Sequence, residues 1–316
     1  MKIALKKTLI WAALRILMLI FWVIGLMIGN AIFPSHLMES SGDSGGNGEL
    51  MLLFTCALNT AAVLYFIYSS NIKGWKLVGS LFLVIFGIQY FMSQIETLWF
   101  NDSLNMEISL ILTIVTGGFI MAVLFALSAT WITGKFGKLD AATTAWPKIR
   151  LSLIWKEVLL LVVILWPAVY FLAGYYIAWQ FEEIRLYYSG SVVMESLMVM
   201  MKANIVSGLY FFQILRGLLW VLIALLVIST TKGSWLHRGL VLGLLLSFLG
   251  SSQLLLPNPI MPEMVRMGHL IETSTSSFIW GFILAWFLRK MMPEIQETKH
   301  LDKITDQRNT QVAHTI

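Results

Sequence analysis

Eight long apolar stretches constrain this 316-residue chain more than any other feature of its sequence. A helix needs roughly 20 apolar residues to cross a hydrocarbon core of about 30 Å. A soluble domain of this length has too little interior to bury so many apolar segments. The sequence therefore predicts an all-α fold, a polytopic bundle of about eight transmembrane helices. The predicted spans are residues 8–32, 50–69, 77–97, 107–133, 154–179, 208–230, 236–256 and 264–288.

The composition argues against the common soluble classes. Hydrophobic residues make up 58% of the chain and charged residues only 12%, whereas soluble domains are about 25% charged. The net charge of +5 is then better explained by basic cytoplasmic loops than by nucleic-acid binding. A single cysteine, Cys56, excludes an internal disulfide and a multi-cysteine metal site. We expect membrane lipids as partners, no nucleic acid and no cofactor.

The distribution of basic residues predicts the orientation. If the N-terminus is cytoplasmic, all but four of the 22 Lys and Arg residues fall on the cytoplasmic side, as the positive-inside rule requires. The four exceptions are Arg185, Lys202, Arg216 and Arg266. An even number of spans also places the C-terminus in the cytoplasm. The predicted organisation is one transmembrane domain, residues 1–290, followed by a cytoplasmic polar tail, residues 291–316.

Two external segments have distinctive compositions. Residues 33–49 form a polar Gly/Ser-rich loop, which is typical of a flexible connection. Its string GDSGG, residues 42–46, matches a serine-protease motif by coincidence, because that chemistry needs a rigid scaffold and two partner side chains. Residues 180–207 contain a Met-rich stretch that either lies in the membrane interface or extends the sixth span outward.

Strong polar side chains recur at one depth of the predicted bundle. At about 1.5 Å per residue from the cytoplasmic ends of their spans, Glu96, Arg216, Gln253 and Glu272 all lie in the outer third of the membrane. Asn59 and Cys56 of the second span reach a comparable level. Ionisable groups within spans are costly and usually face the protein interior, so this level is the predicted functional region.

The spacing of these residues predicts that they share one cavity. Arg266, His269 and Thr273, with Glu272 beside them, form a polar stripe on the eighth span. Similar stripes on the third and sixth spans would be unfavourable facing lipid. We expect a pocket open to the outside, with Glu96 or Glu272 paired to Arg216 or Arg266. The candidate ligand-binding residues are Glu96, Gln94, Gln213, Arg216, Gln253, Arg266, His269 and Glu272.

Three functions remain open from these residues. The first is binding or transport of a small anionic or lipid-like ligand, because guanidinium groups suit phosphate and carboxylate oxygens. The second is a metal-dependent hydrolase or transferase at the outer leaflet that uses His269, Glu272 and Glu96. One well-placed histidine makes that a weak ligand set, so no metal site is predicted. The third is a non-catalytic assembly or signalling subunit, in which the charges only hold helices together.

Three other features predict architecture. Gly25 and Gly29, and the series Gly239, Gly243, Ser247 and Ser251, form small-residue seams for close helix approach. Pro167 within the fifth span predicts a kink that frees a backbone carbonyl.

The segments SQIET (93–97), GYYIAWQFEEIRLYY (174–188), LRGLLW (215–220) and LLLPNPIMPEMVRMGHLIETSTSSFIWG (254–281) resemble those of a family of uncharacterised bacterial multi-pass membrane proteins. The resemblance covers most of the membrane region. It implies a bacterial inner-membrane location, but no activity, cofactor or mechanism.

Overall fold

A computed structural model describes residues 2–36, 47–137, 151–258 and 260–291 of the chain. Eight helices in these ranges are long and apolar enough to cross a membrane. Every boundary lies within four residues of the predicted one, so the number and positions of the eight predicted helices are confirmed. The candidate spans are Ala4–Ile32, Gly48–Ser69, Gly74–Trp99, Ile108–Ile132, Ser152–Gln180, Leu209–Thr230, Trp235–Leu255 and Glu263–Lys290. The GDSGG string and the predicted tail beyond residue 291 lie outside the described residues.

The first span belongs to an α-helix that runs from Lys2 to Ile32. The seventh continues from an α-helix, Trp235–Ser251, into a 3₁₀ turn, Ser252–Leu255. The eighth is an α-helix, Glu263–Phe287, that ends in a 3₁₀ turn, Leu288–Met291.

The third span changes helix type in its middle. An α-helix, Gly74–Ile85, passes into a π-helical segment, Phe86–Phe91, and returns to an α-helix, Met92–Trp99. The hydroxyl of Ser93 donates to the carbonyls of Gln89 and Tyr90, at 2.9 Å each. A side chain thus supplies hydrogen bonds to carbonyls in the irregular turn, which a hydrocarbon environment requires.

The fifth span has a second π-helical segment, Leu161–Leu165, between the α-helices Leu151–Leu160 and Trp166–Tyr176. Pro167 has no backbone N–H to donate to the carbonyl of Val163, four residues before it. The hydroxyl of Tyr210 in the sixth span donates to that carbonyl instead, at 2.7 Å. A side chain of the sixth span therefore supplies a donor to a carbonyl close to Pro167.

Small residues let two pairs of spans approach closely, as predicted. A Cβ atom added at Gly25 would overlap the backbone of Gly117 in the fourth span. In the same way, a Cβ on Gly281 of the eighth span would overlap the backbone of Gly243. These contacts join the first span to the fourth and the seventh to the eighth.

Short helices lie between the longer ones on the side of the bundle opposite the N-terminus. Between the fifth and sixth spans these are a 3₁₀ turn, Ala178–Gln180, and two α-helices, Glu182–Ser189 and Leu197–Val206. Gly208, at φ 82°, separates the last helix from the sixth span, so the Met-rich stretch is a distinct helix and does not extend that span. A further short helix, Asn101–Leu104, follows the third span.

The helix Glu182–Ser189 packs over the start of the eighth span. Ile184 and Val265 are fully buried there, in a small apolar cluster separate from the main core. A Cβ atom on Gly268 would overlap the side chain of Ile184. This short helix therefore covers the end of the bundle where the polar residues of the third, sixth and eighth spans lie.

The seam between the first and fourth spans can be tested with Gly25→Ala. The added methyl group has no space against the backbone of Gly117, and overpacking of this kind typically costs about 1–3 kcal/mol. We expect a lower melting temperature for the purified protein in detergent.

Gly79→Ala is the matched control, because a Cβ atom there meets nothing within 4 Å. Replacing glycine inside a helix favours folding by about 0.5–1 kcal/mol, so its melting temperature should stay equal or rise. Equal decreases in melting temperature for the two variants would contradict a close contact between the first and fourth spans at Gly25.

Candidate functional site

An ion pair between the third and sixth spans is the centre of the candidate site. Nη1 and Nη2 of Arg216 lie 2.6 Å and 2.7 Å from the two carboxylate oxygens of Glu96. Paired contacts of this kind are the strongest arrangement of guanidinium and carboxylate. Of the pairings that the sequence left open, the structure has Glu96 with Arg216.

The two partners of this pair differ in accessibility. The Arg216 side chain is 6% exposed, whereas that of Glu96 is 32% exposed. The guanidinium lies within 6 Å of three aromatic ring centroids, at 5.7 Å from Trp166 and from Tyr170 and at 5.9 Å from Phe212. Such cation–π contacts favour a desolvated cation. Arg216 is thus enclosed by rings, and Glu96 is its more accessible partner.

Side chains of the fifth and sixth spans extend the network. The Tyr170 hydroxyl donates to Glu96, at 3.2 Å. Oε1 of Gln213 accepts hydrogen bonds from Trp166 Nε1, at 3.0 Å, and from Arg216, at 3.3 Å. Trp166 and Arg216 therefore fix the position of the Gln213 side chain, and both acceptor positions of its oxygen are occupied.

Several buried donors around this network have no hydrogen-bond partner in the structure. They are Arg216 Nε, Gln213 Nε2, Trp220 Nε1 and Trp280 Nε1. The rings of Trp220 and Trp280 both contact that of Trp166, with centroids 5.8 Å and 5.3 Å away. Unsatisfied buried donors are costly, so the region is suited to a group with acceptor oxygens.

A second ionisable pair lies on the eighth span. Nδ1 of His269 is 3.5 Å from Oε2 of Glu272, and the Thr273 hydroxyl donates to the same oxygen at 3.2 Å. The Glu272 side chain is 12% exposed. Nε2 of His269 is buried without a partner. The strongest described interactions of Glu272 are therefore with an imidazole and a hydroxyl, neither of which carries a permanent charge.

Tyr188 of the helix Glu182–Ser189 lies close enough to both pairs to sense their charges. Burial raises its pKa, and the carboxylates of Glu96 and Glu272 raise it further, with a contribution from Tyr187. The hydroxyl keeps its proton as a result. Its ring also contacts His269 edge-on, with centroids 5.6 Å apart. We call this set the polar centre: Glu96, Tyr170, Tyr188, Gln213, Arg216, His269 and Glu272.

Arg266 donates to backbone carbonyls. Its Nη1 donates to the carbonyls of Leu254 and Leu256, at 3.2 Å and 2.8 Å, and its Nε donates to Met261. These carbonyls lie at the end of the seventh span and in the proline-rich connection that follows it, which has few backbone donors. Arg266 therefore ties the connection to the eighth span, and it forms no ion pair with Glu96 or Glu272.

The two remaining glutamines of the candidate set make local contacts. Gln253 donates to the carbonyl of Gly250, at 3.1 Å, and Gln94 to the hydroxyl of Ser93, at 3.4 Å. Each has a buried side-chain oxygen without a partner. Asn59, expected at the same depth, accepts a hydrogen bond from Ser252, at 2.8 Å, in a contact between the second and seventh spans.

The structure does not assemble the metal ligands considered from the sequence. Among the described residues, no three His, Cys, Asp or Glu side chains come together as a group that could hold an ion. Both carboxylate oxygens of Glu96 are directed to Arg216. His269, Glu272 and Glu96 are therefore not placed as a three-ligand site.

Three residues of the polar region were missed from the sequence. Trp166, Tyr170 and Tyr188 count as apolar in a hydropathy scan, although each carries a donor that can serve a buried acceptor. The signal available was the spacing of Trp166 and Tyr170, four residues apart around Pro167. That spacing places both rings on one face of the fifth span.

The length and composition of its eight helices are those of a multi-pass membrane protein. Comparisons with protein-family models, curated proteins and solved structures find no match to this chain. The resemblance drawn from the sequence therefore stays a prediction, and the functional argument depends on the geometry of the polar centre.

The coupling between Glu96 and Arg216 can be measured with Glu96→Gln, Arg216→Gln and the double variant. Because one partner is enclosed by rings, removing either charge leaves the other without its main compensation. We expect a coupling free energy of about 1–3 kcal/mol in a double-mutant cycle of unfolding in detergent.

The pair of Glu157 and Lys290 is the matched control in the same molecule. Its Nζ–Oε1 distance is 2.5 Å, but the lysine side chain is 64% exposed. Exposed pairs gain little from their attraction, so its coupling should be smaller. A coupling at Glu96 and Arg216 no larger than this control would show that the central pair is energetically unimportant.

Proposed function

We propose that this chain is a protein of the bacterial inner membrane, with both termini in the cytoplasm, that binds or transports a small anionic or lipid-like ligand. The ligand would enter the polar centre from the extracytoplasmic side. One observation carries this proposal: a buried guanidinium, Arg216, is neutralised by a more accessible carboxylate, Glu96.

The asymmetry of the pair supports an exchange of anions. Glu96 is itself the anion bound to Arg216. A carboxylate or phosphate group that reaches this pair competes with Glu96 for the guanidinium. Guanidinium binds either group through the same paired geometry. The ligand takes the place of Glu96 on Arg216, and its further oxygens accept from unpartnered donors such as Arg216 Nε and Gln213 Nε2.

Displacement leaves the carboxylate of Glu96 with fewer favourable partners. Once Glu96 loses Arg216, its negative charge has only the Tyr170 hydroxyl as a described partner, next to a bound anion. Like charges at close range repel each other. Removing the charge of Glu96 should therefore favour the bound ligand.

A structural role is the alternative that the same contacts favour. Arg216 already has a carboxylate, a glutamine oxygen and three rings around it. A non-catalytic subunit could use this network only to hold the third, fifth and sixth spans together. In that case Glu96→Gln and Arg216→Gln would lower stability while no anion bound to the polar centre.

Binding can be tested by calorimetry with decanoate and decyl phosphate, which carry the two anionic groups on a lipid-like tail. Arg216→Gln should abolish binding, because the guanidinium that holds the anionic group is gone. Glu96→Gln should bind more tightly than wild type, because the competing charge is gone.

Lys202→Gln is the control for general surface charge, since Lys202 is an exposed cation on the same side of the bundle. Its affinity should equal that of the wild type, and decanol should bind far more weakly than decanoate. Weaker anion binding by Glu96→Gln would refute the exchange, and unchanged binding by Arg216→Gln would refute the site.

A further inference from the structure

A groove far from the polar centre lies between the first and second spans, at the end of the bundle that holds the N-terminus. Lys7, Thr8 and Trp11 form one wall, and Ala61, Tyr65 and Tyr68 form the other. The volume is about 340 Å³, at the lower end of the roughly 300–1,000 Å³ of small-molecule sites.

The groove opens because a small residue stands between larger ones. Ala61 is exposed on the surface of the second span, one turn from Tyr65 and two from Tyr68. Opposite it, the Trp11 ring is held in place by a hydrogen bond from its Nε1 to the carbonyl of Ala57, at 3.2 Å. The result is a mostly apolar slot on the outer surface of the bundle, where a membrane would supply acyl chains.

One cation lines this slot, and a second lies beside its Trp11 wall. Nζ of Lys7 is 5.2 Å from the centroid of the Tyr68 ring. The guanidinium of Arg15 is 5.2 Å from the centroid of the Trp11 ring. Helical side chains lean toward the N-terminus of their helix, so Arg15 reaches back to that ring. Its Nε is buried without a hydrogen-bond partner.

The charges of Lys7 and Arg15 indicate what kind of molecule fits this groove. Among the described residues, neither Lys7 nor Arg15 has a carboxylate partner. An unpaired arginine within a span is costly and calls for a counter-charge. A lipid phosphate supplies that charge at the membrane boundary, and basic pockets between helices bind such head groups.

We propose that this groove binds an anionic phospholipid, with one acyl chain along Ala61 and the phosphate between Lys7 and Arg15. A zwitterionic phospholipid offers the same chain but also a cationic group that Lys7 and Arg15 repel. The site is therefore selective for net negative head groups. It shares no residue with the polar centre and is independent of the function proposed there.

Native mass spectrometry of the full chain in detergent tests this site, with phosphatidylglycerol and phosphatidylcholine added at equal concentration. We expect the wild type to retain phosphatidylglycerol about fivefold more than phosphatidylcholine. Lys7→Gln should reduce that preference about fivefold. Ala61→Trp, which fills the slot, should reduce retention of both lipids.

Lys6→Gln is the matched control, because Lys6 is an exposed neighbour that does not line the groove. It should keep the wild-type preference, and each variant should elute as the same monodisperse species. Equal retention of the two lipids by the wild type would overturn the proposal. So would an equal loss in Lys6→Gln and Lys7→Gln, or full lipid retention by Ala61→Trp. Anion binding at Arg216 should be unchanged in all three variants, which separates the two sites.

Discussion

The burial of the Arg216 guanidinium is the constraint around which the polar side of this bundle is organised. A guanidinium cannot shed its charge in a protein, so every neighbour must compensate for the water it has lost. Glu96 supplies the counter-charge, three rings supply their negative faces, and Gln213 supplies a neutral oxygen. The third, fifth and sixth spans are brought into one arrangement by the needs of a single side chain.

Irregular helical segments impose a second constraint, which concerns backbone carbonyls. A carbonyl that loses its normal donor within a membrane must find another. Ser93 supplies one from within the third span, and Tyr210 supplies one across helices to Val163. Arg266 does the same for the proline-rich connection before the eighth span. Polar side chains that look functional in a sequence are thus divided between serving the backbone and forming the polar centre.

This division explains what could be predicted from the sequence. The positions of the long apolar helices follow from hydropathy, which depends on local composition, and these helices lie within four residues of the predicted spans. The depth of Glu96 and Arg216 follows from counting residues along straight helices. The pairing of Glu96 with Arg216 and not with Arg266 does not follow from such counting. It depends on the direction in which Glu96 points, which the π-helical segment Phe86–Phe91 changes. It also depends on the connection before the eighth span, whose carbonyls need hydrogen-bond donors and accept them from Arg266. The spacing of residues within one span cannot reveal that contact.

The hydrogen bond from Tyr210 to Val163 has a consequence for how the chain would enter a membrane. Pro167 removes a backbone donor from this turn of the fifth helix, and the hydroxyl that serves Val163 belongs to the next long helix. In a bilayer, a poorly satisfied carbonyl costs several kcal/mol. Partition of the fifth helix would therefore be favoured once the sixth stands beside it. The two helices would then insert best as a hairpin, with the short helices Glu182–Ser189 and Leu197–Val206 between them.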